Sequence, residues 1–298
     1  MNTPDRAHIA ERLQQLQAAI CTALENTDGA ARFSVENWNR EGGGGGITRI
    51  LQHGKIIEKG GVNFSAVHGN LPENIQRALK VTTSEFFATG VSIVQHPVNP
   101  NVPIIHMNVR YFELSSGEWW FGGGIDLTPH YVDESDAKWF HQQLKEVCDR
   151  FDNSWYEKFK TWADDYFYIT HREETRGIGG IFFDRLTGEE NDKVRLFEFL
   201  IAVGEIFAPV YTRFMRLHAD EPYGEDEKNW QLLRRGRYVE FNLVYDKGTR
   251  FGLDTGGRIE SILMSLPEKA GWFYDHQPIP ESREAMTVSL LRKGVRWA

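Results

Sequence analysis

The sequence predicts an α+β fold in which helices pack on an antiparallel sheet. Apolar residues recur at every second position between Ile47 and Asp126, which is typical of strands with one buried face. After Pro129 they recur every three or four positions, as in amphipathic helices. A block of strands followed by a block of helices, without regular βαβ alternation, favours this class over a parallel sheet. No linker divides the chain, so we predict a single domain covering residues 1–298.

The first predicted element is a helix over residues 5–24, in which apolar residues are three and four positions apart. The segment "TDGA" ends it. "ITRILQ" and "KIIEKG" then flank His53 and Gly54, which predicts a hairpin. Turns of Gly, Pro, Asn and Ser separate the further predicted strands "VNFSAV", "GVSIVQ", "IIHMNVRYFEL" and "EWWFGGGIDL".

Three helices are predicted in the second half of the chain. Asp133 or Ser135 can cap a helix that ends at Asp149, a second helix covers residues 154–168, and a long third helix covers residues 192–218. Strands are then predicted again in "GRYVEFNLVYD" and "TRFGLDT", because apolar residues alternate in the first of them.

Composition limits the class of protein. The net charge of −8 argues against a nucleic-acid partner, because non-specific phosphate binding needs a basic face. Two distant cysteines, Cys21 and Cys148, exclude a disulfide framework and a cysteine-ligated iron–sulfur cluster. The N-terminus lacks the apolar core of a secretory signal, and no segment approaches the roughly 20 apolar residues of a membrane span. We therefore predict a cytoplasmic protein without a membrane span.

Two local clusters have more than one interpretation. The run Gly42–Gly46 lacks the Lys and Ser/Thr that follow in a phosphate-binding loop, so we predict a mobile loop rather than a phosphate cradle. The basic cluster "RRGR" is compatible with a solvated turn, a subunit contact or a substrate contact. Its arginines are Arg234, Arg235 and Arg237.

Alternation within the strands predicts a shared polar face. In "IIHMNVRYF", the side chains of His106, Asn108 and Arg110 point to the face opposite their apolar neighbours. The same two-residue period places Ser92 and Asp126 on the corresponding face of their own strands. If the strands align, these residues line one wall of the sheet.

Glycines beside Asp126 have two interpretations. Gly122 and Gly124 share its predicted face, where missing side chains would let a flat, bulky ligand lie against the backbone. Alternatively, the three glycines mark a bulge at a corner of the sheet, and Asp126 caps the turn "DLTP".

Dispersed histidines are candidates for metal ligation or for structural roles. No HExxH or similar local spacing is present. His141 falls in the apolar stripe of a predicted helix, and His171 closes a helix whose negative end favours a cation. His96 could simply bond a loop carbonyl, so metal ligation stays one of two alternatives.

Long motifs make the chain similar to a known family from about Phe33 to Trp297. They are "GVNFSAVHG", "HPVNPNVPIIHMNVRYFE", "WWFGGGIDLTP", "DDYFYITHREETRGIGGIFFD", "RRGRYVEFNLVYDKGT" and "FGLDTGGRIESILMSLP". The sequence resembles the oxygen-dependent coproporphyrinogen-III oxidases of heme biosynthesis. The resemblance implies conversion of the ring A and B propionates of coproporphyrinogen III to vinyl groups, giving protoporphyrinogen IX, with molecular oxygen as co-substrate. It also implies a homodimer whose antiparallel sheet lies between helical layers on both faces.

Site residues follow from the same resemblance. It implies catalytic roles for Asp126 and for His106, the latter as proton donor. Implied substrate-binding residues are Ser92, Asn108, Val109, Arg110, Gly256, Gly257 and Arg258. In the bacterial branch, manganese or another divalent metal is implied, whereas other members need neither metal nor organic cofactor. The implied metal ligands are His96, His106, His141 and His171.

A mechanistic hypothesis joins these assignments. Asp126 would accept hydrogen bonds from the pyrrole N–H groups and assist deprotonation of a pyrrole, so that the substrate and not the protein pairs its charge. Arg110 and Arg258 would clamp propionates through bidentate contacts. Two rival classes are a non-catalytic tetrapyrrole carrier and a metal-dependent oxygenase with two histidines and one carboxylate.

Overall fold

A seven-stranded antiparallel sheet forms the centre of the fold. The computed structural model describes residues 3–71, 76, 85–189, 192–254 and 257–298. In these residues the strands are β1 Ser34–Asn39, β2 Gly44–Gln52, β3 Ile57–Asn70, β4 Glu85–Pro97, β5 Ile104–Leu114, β6 Trp119–Thr128, β7 Tyr168–Ile169, β8 Glu174–Thr175 and β9 Gly179–Leu186. The order in the large sheet is β1-β2-β3-β4-β5-β6-β9, and β7 pairs with β8 separately. Sequential strands are thus neighbours from β1 to β6, which confirms the predicted antiparallel sheet.

Helices pack on both faces of this sheet. They are α1 Arg6–Asp28, α2 Glu134–Asp149, α3 Trp155–Tyr166, α4 Asp192–Glu205, α5 Phe207–His218, α6 Glu225–Glu240, α7 Lys247–Asp254, α8 Ile259–Leu263 and α9 Arg283–Leu290. On one face, α1 contacts β3 and β4, and α4 contacts β5 and β6. On the other, Tyr238 of α6 packs with Val94 and Ile104, and Ser261 of α8 bonds Thr48 and Asn63. The α+β class is therefore confirmed.

Recognisable signals mark the start, the end or the interruption of three predicted helices. Asp133 caps α2 by accepting from the N–H groups of Ser135 and Asp136, as one of the two predicted capping residues. The chain leaves α1 through Gly29, whose φ of 74° suits glycine. The long helix predicted over residues 192–218 is interrupted after Glu205. Pro209 explains the break, because it has no N–H to donate and its ring would clash with the carbonyl of residue 205.

The strands predicted in "GRYVEFNLVYD" and "TRFGLDT" were wrong. The first segment continues α6 and then forms a π-helical turn, Phe241–Tyr245; the second lies in α7 up to Asp254, and its last residue is outside the described residues. The buried residues Trp230, Arg234, Tyr238 and Phe241 are spaced four, four and three apart. This helical period was hidden because one of its buried members is an arginine.

The prediction of a mobile loop over Gly42–Gly46 was wrong for Gly44, Gly45 and Gly46, which lie in β2; Gly42 and Gly43 lie in the turn before it. Gly45 and Gly46 pair with both β1 and β3, and Gly44 pairs with Val67 of β3. A Cβ at Gly44 would stand 2.2 Å from the carbonyl oxygen of Ala66, and its φ is 78°. Glycine is needed there because of the close approach of the neighbouring strand. Two strands of the large sheet, β1 and β9, had not been predicted, nor had the short pair β7 and β8.

An ion-pair cluster joins α5 to α2. The two ring nitrogens of His218 lie 2.7 Å from Asp136 Oδ2 and 2.6 Å from Glu221 Oε1. The hydrogen bond to Asp136, together with that to Glu221, outweighs partial burial and raises the pKa of His218 to about 9. His218 is therefore protonated at neutral pH and holds the end of α5 against the start of α2.

This cluster predicts a pH dependence of stability. The folded-state pKa of His218 lies above its ordinary value of 6.5, so its contribution is complete below about pH 6.5 and is lost as the pH rises through about 9. We expect the Tm of His218→Gln to fall less than that of the wild type between these pH values. Thermal melts at half-unit pH intervals measure this, with the exposed His8→Gln as control. Equal slopes for His218→Gln and the wild type would contradict it.

In the described ranges, none of the helices combines the length and apolar composition needed to cross a bilayer.

Candidate active site

The strand register brings the predicted polar residues together on one face. Asp126 pairs with His106, which in turn pairs with Val94. Asn108 stands between Ser92 and Gly124, and Arg110 between Gly90 and Gly122. Directly paired residues of antiparallel strands point to the same side. The polar wall that alternation predicted is therefore present.

Asp126 is the most buried charged group of this wall, with 1% of its side chain exposed. Its Oδ1 lies 2.7 Å from Nδ1 of His106. Nη2 of Arg176 donates to both carboxylate oxygens at 2.8 Å. A carboxylate can only accept, so the Nδ1 nitrogen of His106 carries a proton. Asp126 is thus the centre of a chain of three side chains, His106, Asp126 and Arg176.

An aromatic box surrounds Arg176. Its guanidinium carbon lies 4.4 Å from the ring centre of Phe167, 4.6 Å from that of Tyr238 and 4.7 Å from that of Phe241. Its Nη1 donates to the side-chain oxygen of Asn242 at 2.8 Å. Only 2% of Arg176 is exposed, and such desolvated stacking strengthens a cation–π contact. The box fixes the guanidinium so that one edge faces Asp126.

The pairing of Asp126 corrects the mechanistic hypothesis. Burial alone would raise the pKa of Asp126, but the charge of Arg176 and the hydrogen bond from His106 outweigh it, and the pKa is below its ordinary value. The carboxylate is therefore ionised and already paired within the protein. The expectation that only the substrate pairs Asp126 was wrong.

His106 can transfer protons from this position. About one fifth of its side chain is exposed, unlike that of Asp126. With Nδ1–H donating to Asp126, the neutral ring keeps Nε2 as an acceptor, and after proton uptake Nε2–H is a donor. Asp126 fixes the tautomer and stabilises the protonated ring, as the carboxylate does in an acid–base triad. The arrangement suits general acid–base chemistry at Nε2.

Arginines flank this centre along the sheet. Arg110 extends over β6 and donates hydrogen bonds to the side-chain oxygens of Asn108 and Asp184, each at 2.8 Å. Arg258, at the start of α8, lies 3.3 Å from the hydroxyls of Thr48 and Ser261 and pairs with Glu36 at 2.5 Å. Both arginines are partly exposed and can still donate to a carboxylate.

The remaining residues implied for substrate binding differ in their placement. Ser92 is half-buried on the polar face. Gly257 precedes α8 and donates to the carbonyl of Gly252 at 2.8 Å. Val109 is fully buried in the core on the opposite face, which contradicts a side-chain contact with substrate; alternation in the strand requires this. Gly256 lies outside the described residues.

The implied histidine ligands do not form a metal-binding group in the structure. His141 has one ring nitrogen 3.0 Å from Tyr156 Oη and the other 3.0 Å from the carbonyl oxygen of Ile178. The ring nitrogens of His171 lie 2.7 Å from Tyr245 Oη and 2.8 Å from Glu240.

The other two implied ligands are also engaged. His96 bonds the carbonyl of Ser265 at 2.8 Å, and His106 bonds Asp126. No three His, Cys, Asp or Glu side chains in the described part of the chain are arranged to hold a metal ion. These four histidines do not fit the implied ligand set, because each ring is hydrogen-bonded to a different internal partner and they form no common cluster.

The "RRGR" cluster is internal. Arg234 donates to both oxygens of Glu174 at 2.9 and 3.1 Å, and Arg235 pairs with Glu58 and donates to the carbonyl of Pro97 at 2.8 Å. All three of its arginines are buried in α6. The interpretation as a solvated turn was wrong, since these side chains are paired inside the fold.

Arg176 is the site residue that sequence reasoning missed. It follows the short strand β8 in an irregular segment and lies 50 positions beyond Asp126. No alternation or motif spacing connects the two. The only available signal was that a carboxylate among apolar residues needs a partner, which does not say which cation supplies it.

Comparison with known proteins gives consistent results. Residues 8–297 match the family model described as coproporphyrinogen III oxidase. The chain is 49% identical to an oxygen-dependent coproporphyrinogen-III oxidase, chloroplastic, of Glycine max, over 99% of this chain and 80% of that protein. It is 50% identical to the mitochondrial one of Rattus norvegicus, over 96% of this chain and 67% of the relative. It is 46% identical to the oxygen-dependent coproporphyrinogen-III oxidase of Drosophila melanogaster, over 98% of this chain and 79% of the relative.

The relatives' names correct the predicted location. The soybean and rat proteins are named as chloroplastic and mitochondrial, which contradicts the cytoplasmic location predicted above; that prediction was wrong. Cysteine usage separates oxidising from reducing compartments but does not distinguish one reducing compartment from another. Family membership rests on the nearly full-length matches: the chain belongs to the coproporphyrinogen III oxidase family.

Proposed function

We propose that this chain is an oxygen-dependent coproporphyrinogen-III oxidase of heme biosynthesis. The observation that carries the proposal is the hydrogen-bonded series of side chains His106, Asp126 and Arg176. It lies on a face of the sheet that Arg110 and Arg258 flank. A buried, ionised carboxylate behind a partly exposed imidazole suits proton transfer, and the arginines suit a substrate with several carboxylates. Family membership supports the same substrate and oxidant.

The reaction balances without a further oxidant. Each reacting propionic acid side chain loses carbon dioxide and two hydrogen atoms and becomes a vinyl group. Molecular oxygen accepts the two hydrogen atoms and leaves as hydrogen peroxide. Two such steps, on rings A and B, convert coproporphyrinogen III to protoporphyrinogen IX. Protons must therefore move at the macrocycle in each step, and a positioned acid–base group serves that need.

His106 is the catalytic residue of this proposal. Its Nε2 takes a proton from a pyrrole N–H, which raises the electron density of the ring toward oxygen, and returns a proton later in the cycle. Asp126 is a positioning residue, because it is buried behind His106 and acts through Nδ1. Arg176 keeps Asp126 ionised. Ser92 and Asn108, which lie opposite each other on neighbouring strands of the same face, offer hydrogen bonds to the substrate.

Arg258 is proposed to bind a propionate remote from the reacting arm. We expect Arg258→Ala to raise KM for coproporphyrinogen III by about 10-fold, with kcat changed less than about 3-fold, because it removes a charge-assisted contact made before and during reaction. Steady-state kinetics measure the split, with Arg292→Ala, an exposed arginine near the C-terminus, as control. A decrease in kcat at unchanged KM would assign Arg258 to the chemical step instead.

We propose a reaction in which the histidines do not bind a metal. One experiment tests both whether turnover needs a metal and whether it needs molecular oxygen. Metal-stripped protein is assayed for product from coproporphyrinogen III in air and under strict anoxia, with manganese restored in parallel samples. We expect turnover in air in both metal states and none under anoxia. Turnover only after manganese is restored would return the histidines to ligand roles. Tight binding without product in any sample would favour the tetrapyrrole carrier.

We also infer that residues 1–298 act as one domain and that two copies form a homodimer. Support for the single domain is a buried cluster that includes both Ile9 and Trp297. Support for association is the exposure of the adjacent residues Trp272 and Phe273 and of Ile279, since exposed apolar surface favours contact with a partner. Light scattering coupled to size-exclusion chromatography tests the dimer, and a monomeric mass would refute it.

A further inference from the structure

The side chain of Arg110 lies across the sheet instead of projecting from it. Arg110 belongs to β5, and its Nη1 donates to Asn108 of the same strand at 2.8 Å. Its Nη2 donates to Asp184 of β9 at 2.8 Å. Strand β6 lies between β5 and β9, so the side chain spans a whole strand. The guanidinium is thereby held at two points.

Gly122 makes this crossing possible. It is the β6 residue that pairs with Arg110. A Cβ at this position would stand 2.5 Å from Oδ1 of Asp184 and 3.0 Å from Cζ of Arg110. Such distances are below ordinary van der Waals contact, so any larger residue would separate the pair.

A β-bulge lies at the same place. Phe121 pairs with Leu186 and Gly123 with Phe183, so β9 has one more residue than β6 between these two pairs. The extra residue lies next to Asp184, and Arg185 has a φ of 49°. Bulges next to active sites commonly direct one side chain, and a non-glycine residue in this conformation persists only where the surroundings enforce it.

We infer that Asp184 is a positioning residue that holds the fork of Arg110 ready for a propionate carboxylate, an inference that rests on the proposed function. A guanidinium has five N–H donors, of which Asn108 and Asp184 take one each, so three stay available for substrate. Because the planar fork is fixed before binding, its rotamer entropy is lost on folding and not on binding.

Asp184 has two opposite effects on propionate binding: its negative charge weakens binding, whereas its hold on Arg110 strengthens it. The effect of the charge is the smaller of the two. A nearby carboxylate repels a propionate and so weakens its binding. Arg110 and Asp184 are each 36% exposed, however, and solvent screens a repulsion between groups at such sites. Orientation of Arg110 therefore dominates, and asparagine should preserve most of it, because its amide oxygen accepts the same N–H.

Kinetics of single and double variants test the inference. We expect Asp184→Ala to raise KM for coproporphyrinogen III about 3- to 10-fold, as estimated for freeing one long side chain, with kcat within about 2-fold of the wild type. Asp184→Asn should lie closer to the wild type. In an Arg110→Ala background, Asp184→Ala should have no further effect, because Asp184 acts through Arg110. Gly122→Ala should reproduce the KM increase. Asp220→Ala, which removes a carboxylate paired with Lys55 on the surface, is the control.

Different failures have different meanings. If the wild type does not convert coproporphyrinogen III, the proposed function fails. If it does, and Arg110→Ala raises KM while Asp184→Ala does not, the inference about Asp184 alone is overturned. It is also overturned if the two substitutions add independently, or if Asp184→Asn is as impaired as Asp184→Ala. Thermal melts of each variant separate these outcomes from a loss of folded protein.

Discussion

Replacement of Asp126 by asparagine should lower kcat for coproporphyrinogen III by at least ~10²-fold, the scale of a positioned acid–base group. Asparagine has the size of aspartate, but it cannot stabilise a protonated His106 by charge. Its amide can also hold the imidazole in the wrong tautomer, an effect that costs up to ~10⁴-fold in acid–base triads. KM should change less, because Asp126 is 1% exposed and offers no surface to bind the substrate.

A second substitution identifies the route by which Asp126 acts. His106→Ala should lower kcat to a similar extent, and Asp126→Asn/His106→Ala should be no slower than the slower single variant, since the pair works as one unit. Single-turnover rates in air-saturated buffer, with folding checked by thermal melts, give these values. A near-normal kcat for Asp126→Asn would remove the carboxylate from the mechanism. Fully multiplicative defects would show that Asp126 acts on the substrate independently of His106.

The polar wall could be predicted because its signals are local. A period of two residues determines the face of each side chain, so His106, Asn108 and Arg110 could be assigned together from eleven residues of sequence. Their alignment with Asp126 follows from the short connection between β5 and β6, which favours an antiparallel pair.

Partners supplied from distant segments could not be predicted in this way. Arg176 pairs with Asp126 across 50 positions, and Asp184 reaches Arg110 across 74. A carboxylate among apolar residues indicates that a partner exists, but the choice among many arginines depends on tertiary packing. The sequence-based hypothesis therefore assigned the substrate a pairing role that Arg176 already fills.

The buried arginines of α6 illustrate a related failure. Arg234 and Arg235 lie on the buried side of α6. Glu174 pairs with Arg234 there, and Glu58 pairs with Arg235. Periodicity analysis counts arginine as an exposed residue, so the helical repeat was missed and the apolar alternation that follows was taken for a strand. Only the ion pairs, formed with distant segments, make burial of these residues possible.

Replacement of Arg176 by methionine should destabilise the fold by about 3–5 kcal/mol, the usual cost when one partner of a buried ion pair is removed. Asp126 would then be buried without its arginine partner. A proton taken up by Asp126 or by His106 would relieve the unpaired charge, so the loss of stability should be smaller at low pH. Urea unfolding at fixed protein concentration measures the change, and Lys293→Met, which breaks an exposed pair with Asp165, should cost about 1 kcal/mol or less.

A double variant separates the structural role of the pair from its chemical role. Asp126→Asn/Arg176→Met removes both charges, so it should regain a large part of the stability lost in Arg176→Met, since a neutral side chain is far cheaper to bury than an unpaired carboxylate. Its kcat should nevertheless stay at the level of Asp126→Asn, because His106 still lacks its charged partner. If the double variant is as unstable as Arg176→Met, the cost lies in the lost packing of the guanidinium within its aromatic box and not in the charge of Asp126. If it regains activity as well as stability, proton transfer at His106 does not depend on the buried ion pair.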